Sequence, residues 1–156
     1  MRRSYTQELT LVRTEYEATK LALSHIVRRW NTEEIIQNAG ERSFTDFQRA
    51  LSHIDVTYIV RLFATFEGLL RHYVAANPTE FTLPKQTQDI KVGWFVDGIA
   101  GKQSPRISVN IRKGVYDVRD CRNDLMHTGR VTSPSITFYE ALTNLAKYLD
   151  KLPPPR

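Results

Sequence analysis

A chain of 156 residues, 41% hydrophobic and 25% charged, has the size and balance of one soluble globular domain able to bury its own core. No apolar run approaches the roughly 18 residues of a membrane span, and the basic start Met1-Arg2-Arg3 leads into polar residues, not into a signal peptide's apolar segment. The single Cys121 excludes an internal disulfide and fits a reducing compartment, so the expectation is a cytoplasmic protein; its net charge of +5 and pI of about 9.5 suit a phosphate-rich partner, or solubility alone.

In chain order, Ser4 with Gln7 has the capping-box spacing and opens a first helix. Leu9, Val12, Tyr16, Leu23, Ile26 and Trp30 then recur at steps of three and four, broken only at Thr19. That stripe of about seven turns predicts bundle packing. Asn31-Thr32-Glu33-Glu34 caps a short helix that Gly40 closes. Thr45 with Gln48 opens another short helix, through about His53. Asp55 reads as the N-cap of a second long helix with the seam Val56, Ile59, Val60, Phe63, Glu67, Leu70 and Val74, stopped by Asn77-Pro78.

Residues 77–88 carry two prolines and no period, the pattern of a loop. Thr87 caps a modest helix through Ile90, Phe95, Val96 and Ile99, although 92–96 also suits a strand. A flexible basic loop, 98–106, follows. A long helix then runs from about Ile107 to His127 and ends at Gly129. Gly114 inside it costs about 1 kcal/mol relative to alanine, which points either to the close approach of another backbone or to a simple weak point. Ser133-Pro134 starts the last helix, with Phe138, Leu142, Leu145, Leu149 and Leu152 along its stripe, ended by three prolines. The expected architecture is all-α: a single-domain, up-and-down helical bundle with two short accessory helices, spanning residues 1–156.

Several chemistries find no support. His25, His53, His72 and His127 form no i, i+4 pair and there is no Cys-x-x-Cys, so no metal or other cofactor is expected. No P-loop, G-x-G-x-x-G or G-x-S-x-G occurs. Cys121 falls mid-helix beside the apolar seam, where a buried inert thiol is the ordinary state.

The chemistry concentrates instead in Arg122-Asn123-Asp124-Leu125-Met126-His127. Ile111, Val115, Val118 and Leu125 form the seam of that helix, with Arg122 in one of its slots. Glu67 occupies an apolar slot on its own helix, so the two suggest a pair in which Glu67 orients Arg122; a plain ion pair, or a carboxylate reaching solvent, fits the spacing as well. His127 lies in the last turn, where the helix dipole and Asp124 at i−3 both favour the imidazolium. Such a histidine suits a general acid or proton shuttle, and equally a helix cap. Arg122 and His127 stand ~7.5 Å apart along an ideal helix and ~140° around it. They therefore point apart, while Asn123 shares a face with His127.

These residues resemble the motif of the HEPN superfamily, in which an arginine and a histidine are separated by four to six residues, often with asparagine directly after the arginine. The separation here is four. Phe63-Ala64-Thr65-Phe66-Glu67-Gly68-Leu69-Leu70-Arg71 resembles the second core helix of prokaryotic members, and the likeness spans roughly residues 50–150. It implies Arg122, Asn123 and His127 as site residues. It also implies a metal-independent endoribonuclease of the toxin or antiviral-defence type with a composite site in a homodimer, restrained in some members by an antitoxin or other partner protein. Some members are non-catalytic. Gly129 stands where a subset regulated by nucleotide transfer has tyrosine.

RNA cleavage without metal needs one group to take the 2′-OH proton, another to protonate the departing 5′ oxygen and a cation to offset the phosphorane charge. One chain offers Arg122 and one motif histidine; two chains packed motif to motif offer two of each. The leading expectation is therefore a homodimeric endoribonuclease for single-stranded RNA: Arg122 holds the phosphate, His127 moves protons, Asn123 positions, and Glu67 and Asp124 support. Lys102, Arg106, Arg119 and Arg130 are candidates for guiding the strand, as is the segment 128–132. The competing expectations are a non-catalytic module that binds nucleotide, RNA or a partner protein, and a purely structural dimerisation domain.

Overall fold

The computed structural model describes residues 5–81, 91–103, 106–127 and 134–153, with the backbone alone at Glu33, Asn38 and His127. These residues form six α-helices and no strand: α1 (Tyr5–Arg28), α2 (Glu33–Ala39), α3 (Phe44–Ala76), α4 (Val92–Lys102), α5 (Val109–His127) and α6 (Phe138–Leu149). The all-α bundle expected from the periodicities is what these residues form; of the two short helices expected early in the chain, the one closed by Gly40 is α2 and the one from Thr45 is part of α3.

Helix α3 is the member against which α1, α4, α5 and α6 all pack. It runs unbroken for 33 residues, where two helices meeting near His53 were expected. The physical reason lies on α1. The Asp55 carboxylate, which reads locally as an N-cap, instead accepts hydrogen bonds from the Tyr16 hydroxyl at 2.7 Å and the Lys20 ammonium at 3.1 Å. Those contacts offset the poor fit of aspartate in a helix interior. The true start is Ser43, whose hydroxyl accepts from the Asp46 amide at 3.3 Å while Asp46 Oδ2 accepts from the Ser43 amide at 2.8 Å. The expected Thr45–Gln48 box lies just inside it.

Contacts between Tyr5 and Tyr73 at one end and between Tyr16 and Asp55 at the other make α1 antiparallel to α3. Phe138 against Tyr58 and Tyr148 against Phe66 make α6 parallel to it. One contiguous core results, with Phe63, Phe66, Leu70, Phe95, Val115, Val118, Leu145 and Tyr148 all almost fully buried. Cys121 is buried too. The long stripe of α1 is used unevenly: Tyr5, Leu9, Val12 and Tyr16 are buried, while Leu23 and Ile26 are half-exposed. Trp30 lies past the helix end and packs on Phe44 and Phe47.

Other expectations shift by local chemistry. Gly40 closes α2 at φ 62°, a left-handed conformation that glycine adopts without strain. Residues 92–96 are helical, and so is 98–102, which was expected to be loop. Helix α6 begins at a capping box: Thr137 Oγ1 accepts from the Glu140 amide, and Glu140 accepts from the Thr137 amide. Pro134 therefore precedes the helix and does not open it. A Cβ on Gly114 would come within 3.0 Å of the Asn144 side chain, so the close neighbour there is a side chain of α6, not a backbone. The expected caps at Ser4, Thr87 and Ser133, and the stop at Gly129, lie outside the described residues. Among the described residues, no helix is long and apolar enough to cross a membrane.

Candidate active site at the end of helix α5

Helix α5 has two distinct surroundings. Over its first half, α4 lies alongside. Asp97 of α4 accepts from the Tyr116 hydroxyl at 2.6 Å and from Arg112 Nη1 at 3.2 Å. Burial first, and then the Asp97 carboxylate, push the Tyr116 phenol up to about 12. Arg119 lies 4.5 Å from the centre of the Tyr116 ring and donates to Asp120 Oδ1 at 2.9 and 2.8 Å. This clamp was not foreseen, because Asp97 sits on a different helix. Its only local trace is the i, i+4, i+7 spacing of Arg112, Tyr116 and Arg119.

Beyond α4, the last turns of α5 carry the motif. Arg122 is half-buried, donates from Nη1 to Asn123 Oδ1 at 2.9 Å, and holds its guanidinium 6.0 Å from the centre of the Phe63 ring. Among the described residues it has no carboxylate partner. Of the four half-buried arginines among the described residues, Arg71, Arg112 and Arg119 each pair with an acid, and Arg122 pairs with none that is described. Among the described residues, then, an amide and an aromatic face hold this cation and no carboxylate neutralises it.

The expected Glu67–Arg122 pair is not formed. Glu67 accepts from Arg71 Nη2 at 2.6 Å and Nε at 3.2 Å, and Arg71 in turn lies 4.9 Å from the centre of the Phe95 ring. The cause is helical spacing: Arg71 stands at i+4, the favoured position for a glutamate–cation pair on one helix. Arg122 meets α3 one turn earlier, at Phe63. The sequence pattern was right that Glu67 meets a cation and wrong about which one.

Asn123 is half-buried and serves Arg122 directly, a role its adjacency left unread. Asp124 and Met126 are exposed, Met126 one turn beyond Arg122. His127 is the final residue of α5, its backbone one turn beyond Asn123. Of the strand-guiding candidates, Lys102 ends α4 and Arg106 follows it, both exposed, while Arg119 is held by Asp120 and Tyr116. Arg130 and the segment 128–132 lie outside the described residues. Among the described residues, no cluster of three or more histidine, cysteine or acidic side chains is placed to hold a metal ion.

Comparison with known proteins leaves the site to be read from its own geometry: no family model, no curated protein and no solved structure matches the chain.

Proposed function

We propose that the protein is a metal-independent endoribonuclease of the HEPN type, cleaving single-stranded RNA by attack of the 2′-OH on the adjacent phosphate. The observation that carries this reading is Arg122. It is half-buried, fixed by Asn123 and Phe63 and, among the described residues, without a carboxylate, near the end of the helix that His127 closes. A guanidinium in that state binds a phosphodiester in its planar fork and gains most when charge develops on the equatorial oxygens. His127, the last residue of the same helix, is the group that delivers a proton to the departing 5′ oxygen. The products are a 2′,3′-cyclic phosphate and a 5′-hydroxyl.

The net charge of +5 supports RNA as the partner, through attraction to phosphates along the strand. A homodimer packed through the exposed motif end would set two such sites face to face, and a partner protein covering that end would act as an antitoxin does, by exclusion. The test is incubation of purified protein with labelled single-stranded RNA in EDTA. Cleavage is expected, with a cyclic-phosphate terminus, and the His127→Ala variant should abolish it. A chain that binds RNA without cutting it returns the non-catalytic reading; metal-dependent cleavage, or full activity in His127→Ala, removes the mechanism.

A further inference from the structure

Three positions seven residues apart, Arg112, Arg119 and Met126, follow one another close to a single line along α5. Helix α4 lies against the first two. Asp97 binds Arg112, and a Cβ on Gly93 would stand 4.0 Å from Arg119 Nη1 and 3.6 Å from the Tyr116 hydroxyl. Gly93 is the second residue of α4 and Asp97 lies one turn on, so α4 runs antiparallel to α5 and starts beside Arg119. Met126 stands ~10.5 Å further along α5 than Arg119, past that start. It is 58% exposed. Fraying does not account for this, because Leu125, the residue before it, still packs on the core and Cys121 is buried. Met126 is exposed because of the face it occupies on a docked helix.

That face is the one that carries the cation. Met126 comes four residues after Arg122 and three after Asn123, so the three are neighbours on the helix surface, with Cβ atoms about 5–6 Å apart from one turn to the next. A long helical side chain leans toward the N-terminus and covers the turn before its own. The Met126 thioether therefore lies over the turn in which Asn123 holds Arg122. Six large apolar side chains are exposed among the described residues, and Met126 alone lies within a turn of that cation. Leu11, Leu21, Ile36 and Tyr139 are on other helices, and Val109 is at the opposite end of α5.

We propose that Met126 is a nucleobase contact of the site, packing against the base of a nucleotide that flanks the phosphate held by Arg122; the assignment rests on the endoribonuclease reading above. A base is joined to its phosphate through a single sugar, and the one-turn span between Met126 and Arg122 matches that linkage. Single-stranded RNA presents unstacked bases, so an apolar side chain beside a cation takes the base while the cation takes the phosphate. Methionine suits the place: its thioether is polarisable, favours aromatic rings and adapts its shape to each base. The contact is tolerant of sequence, since every base has a π-face. It involves no bond made or broken and binds ground and transition states alike, so its loss appears in KM.

The chain has two methionines, Met1 and Met126, which makes the contact directly visible by NMR. In protein with isotope-labelled methionine methyl groups, the Met126 signal is identified by its absence from Met126→Leu. A 2′-O-methyl RNA, which binds but cannot react, should move that signal through the ring current of the packed base. An oligomer of abasic nucleotides of the same length should leave it in place. Met126→Ala should raise KM for single-stranded RNA by about three- to tenfold with kcat within about twofold, and Met126→Leu should recover most of the loss. Thermal unfolding should match wild type, because the side chain is exposed. A signal that stays still while RNA binds, or that the abasic oligomer moves equally, overturns the contact. So does a Met126→Ala chain whose loss of activity follows dissociation of a dimer in analytical ultracentrifugation, which assigns the residue to a protein interface. If the wild type cuts RNA and the signal is silent, the nuclease reading stands without the contact. If it binds RNA and the signal shifts but no cleavage occurs, the contact stands and the nuclease reading falls. A wild type that neither binds nor cuts removes both.

Discussion

Where α4 covers the groove between α3 and α5, arginines meet acids: Arg71 with Glu67, Arg112 with Asp97, and Arg119 with Asp120. A few turns away, where α4 no longer covers it, Arg122 meets an amide and a ring. The residue type is the same and the degree of burial is similar, so the difference lies in what compensates the charge. Compensated arginines, whether paired within one helix as Arg71 and Arg119 are or between helices as Arg112 is, have little left to offer a ligand. An uncompensated one contributes less to the fold and keeps its affinity for an anion that arrives from outside.

That contrast can be broken experimentally. The largest effect is expected at the open end: Arg122→Ala should lower RNA cleavage by about 10²–10³-fold, the range for removing one preorganised donor to a developing oxyanion. Its melting temperature should shift by only a few degrees, measured by circular dichroism. Arg122→Lys should recover part of the charge effect without the bidentate fork. If Arg122→Ala instead unfolds the chain, the arginine is structural and the contrast disappears.

At the covered end, Asp97→Asn should leave cleavage unchanged and lower stability by about 1 kcal/mol, discounted because Asp97 and Arg112 are partly exposed. The pH dependence of stability sharpens this. The folded-state pKa of Tyr116 is raised from the ordinary phenol value of 10.0 to about 12. The stabilisation this represents is fully present below pH 10 and lost as pH rises from 10 through 12. Denaturant unfolding across that window, compared between wild type and Tyr116→Phe, should show a smaller alkaline loss in the variant.

The smallest effect is expected from Glu67→Gln: cleavage within about twofold of wild type and stability lowered by less than about 1 kcal/mol, as for a partly exposed i, i+4 pair. A large loss of activity there, read in the same cleavage assay, would reconnect Glu67 to Arg122 through α3.

Features encoded within one helix were legible before any coordinates. The Gly40 stop, the seams of α3 and α6 and the place of Cys121 follow from spacing and from conformational demands local to each segment. What escaped depends on partners distant in sequence. Asp55 reads as an N-cap until Tyr16 and Lys20, some 39 and 35 residues earlier, are seen to bind it. Asp97 and Tyr116 were unrelated until α4 lay on α5. The motif itself stood out because its unusual residues cluster in two turns; that Asn123 holds Arg122 is local, but that the Phe63 ring of α3 faces the guanidinium is a tertiary fact.

The unequal lengths of the helices carry a final consequence. Helix α3, with its 33 residues, measures about 50 Å, whereas α6, with 12, measures about 18 Å. Four helices therefore stand side by side over only part of the molecule, and the burial along α1 fades after Tyr16 as the cross-section thins to α1 and α3. The motif lies at this step, with the longer pair rising beside it as a wall. Among the described residues this ledge is open to the side, so on the proposed reading a strand would be laid along it and not threaded into a closed bundle.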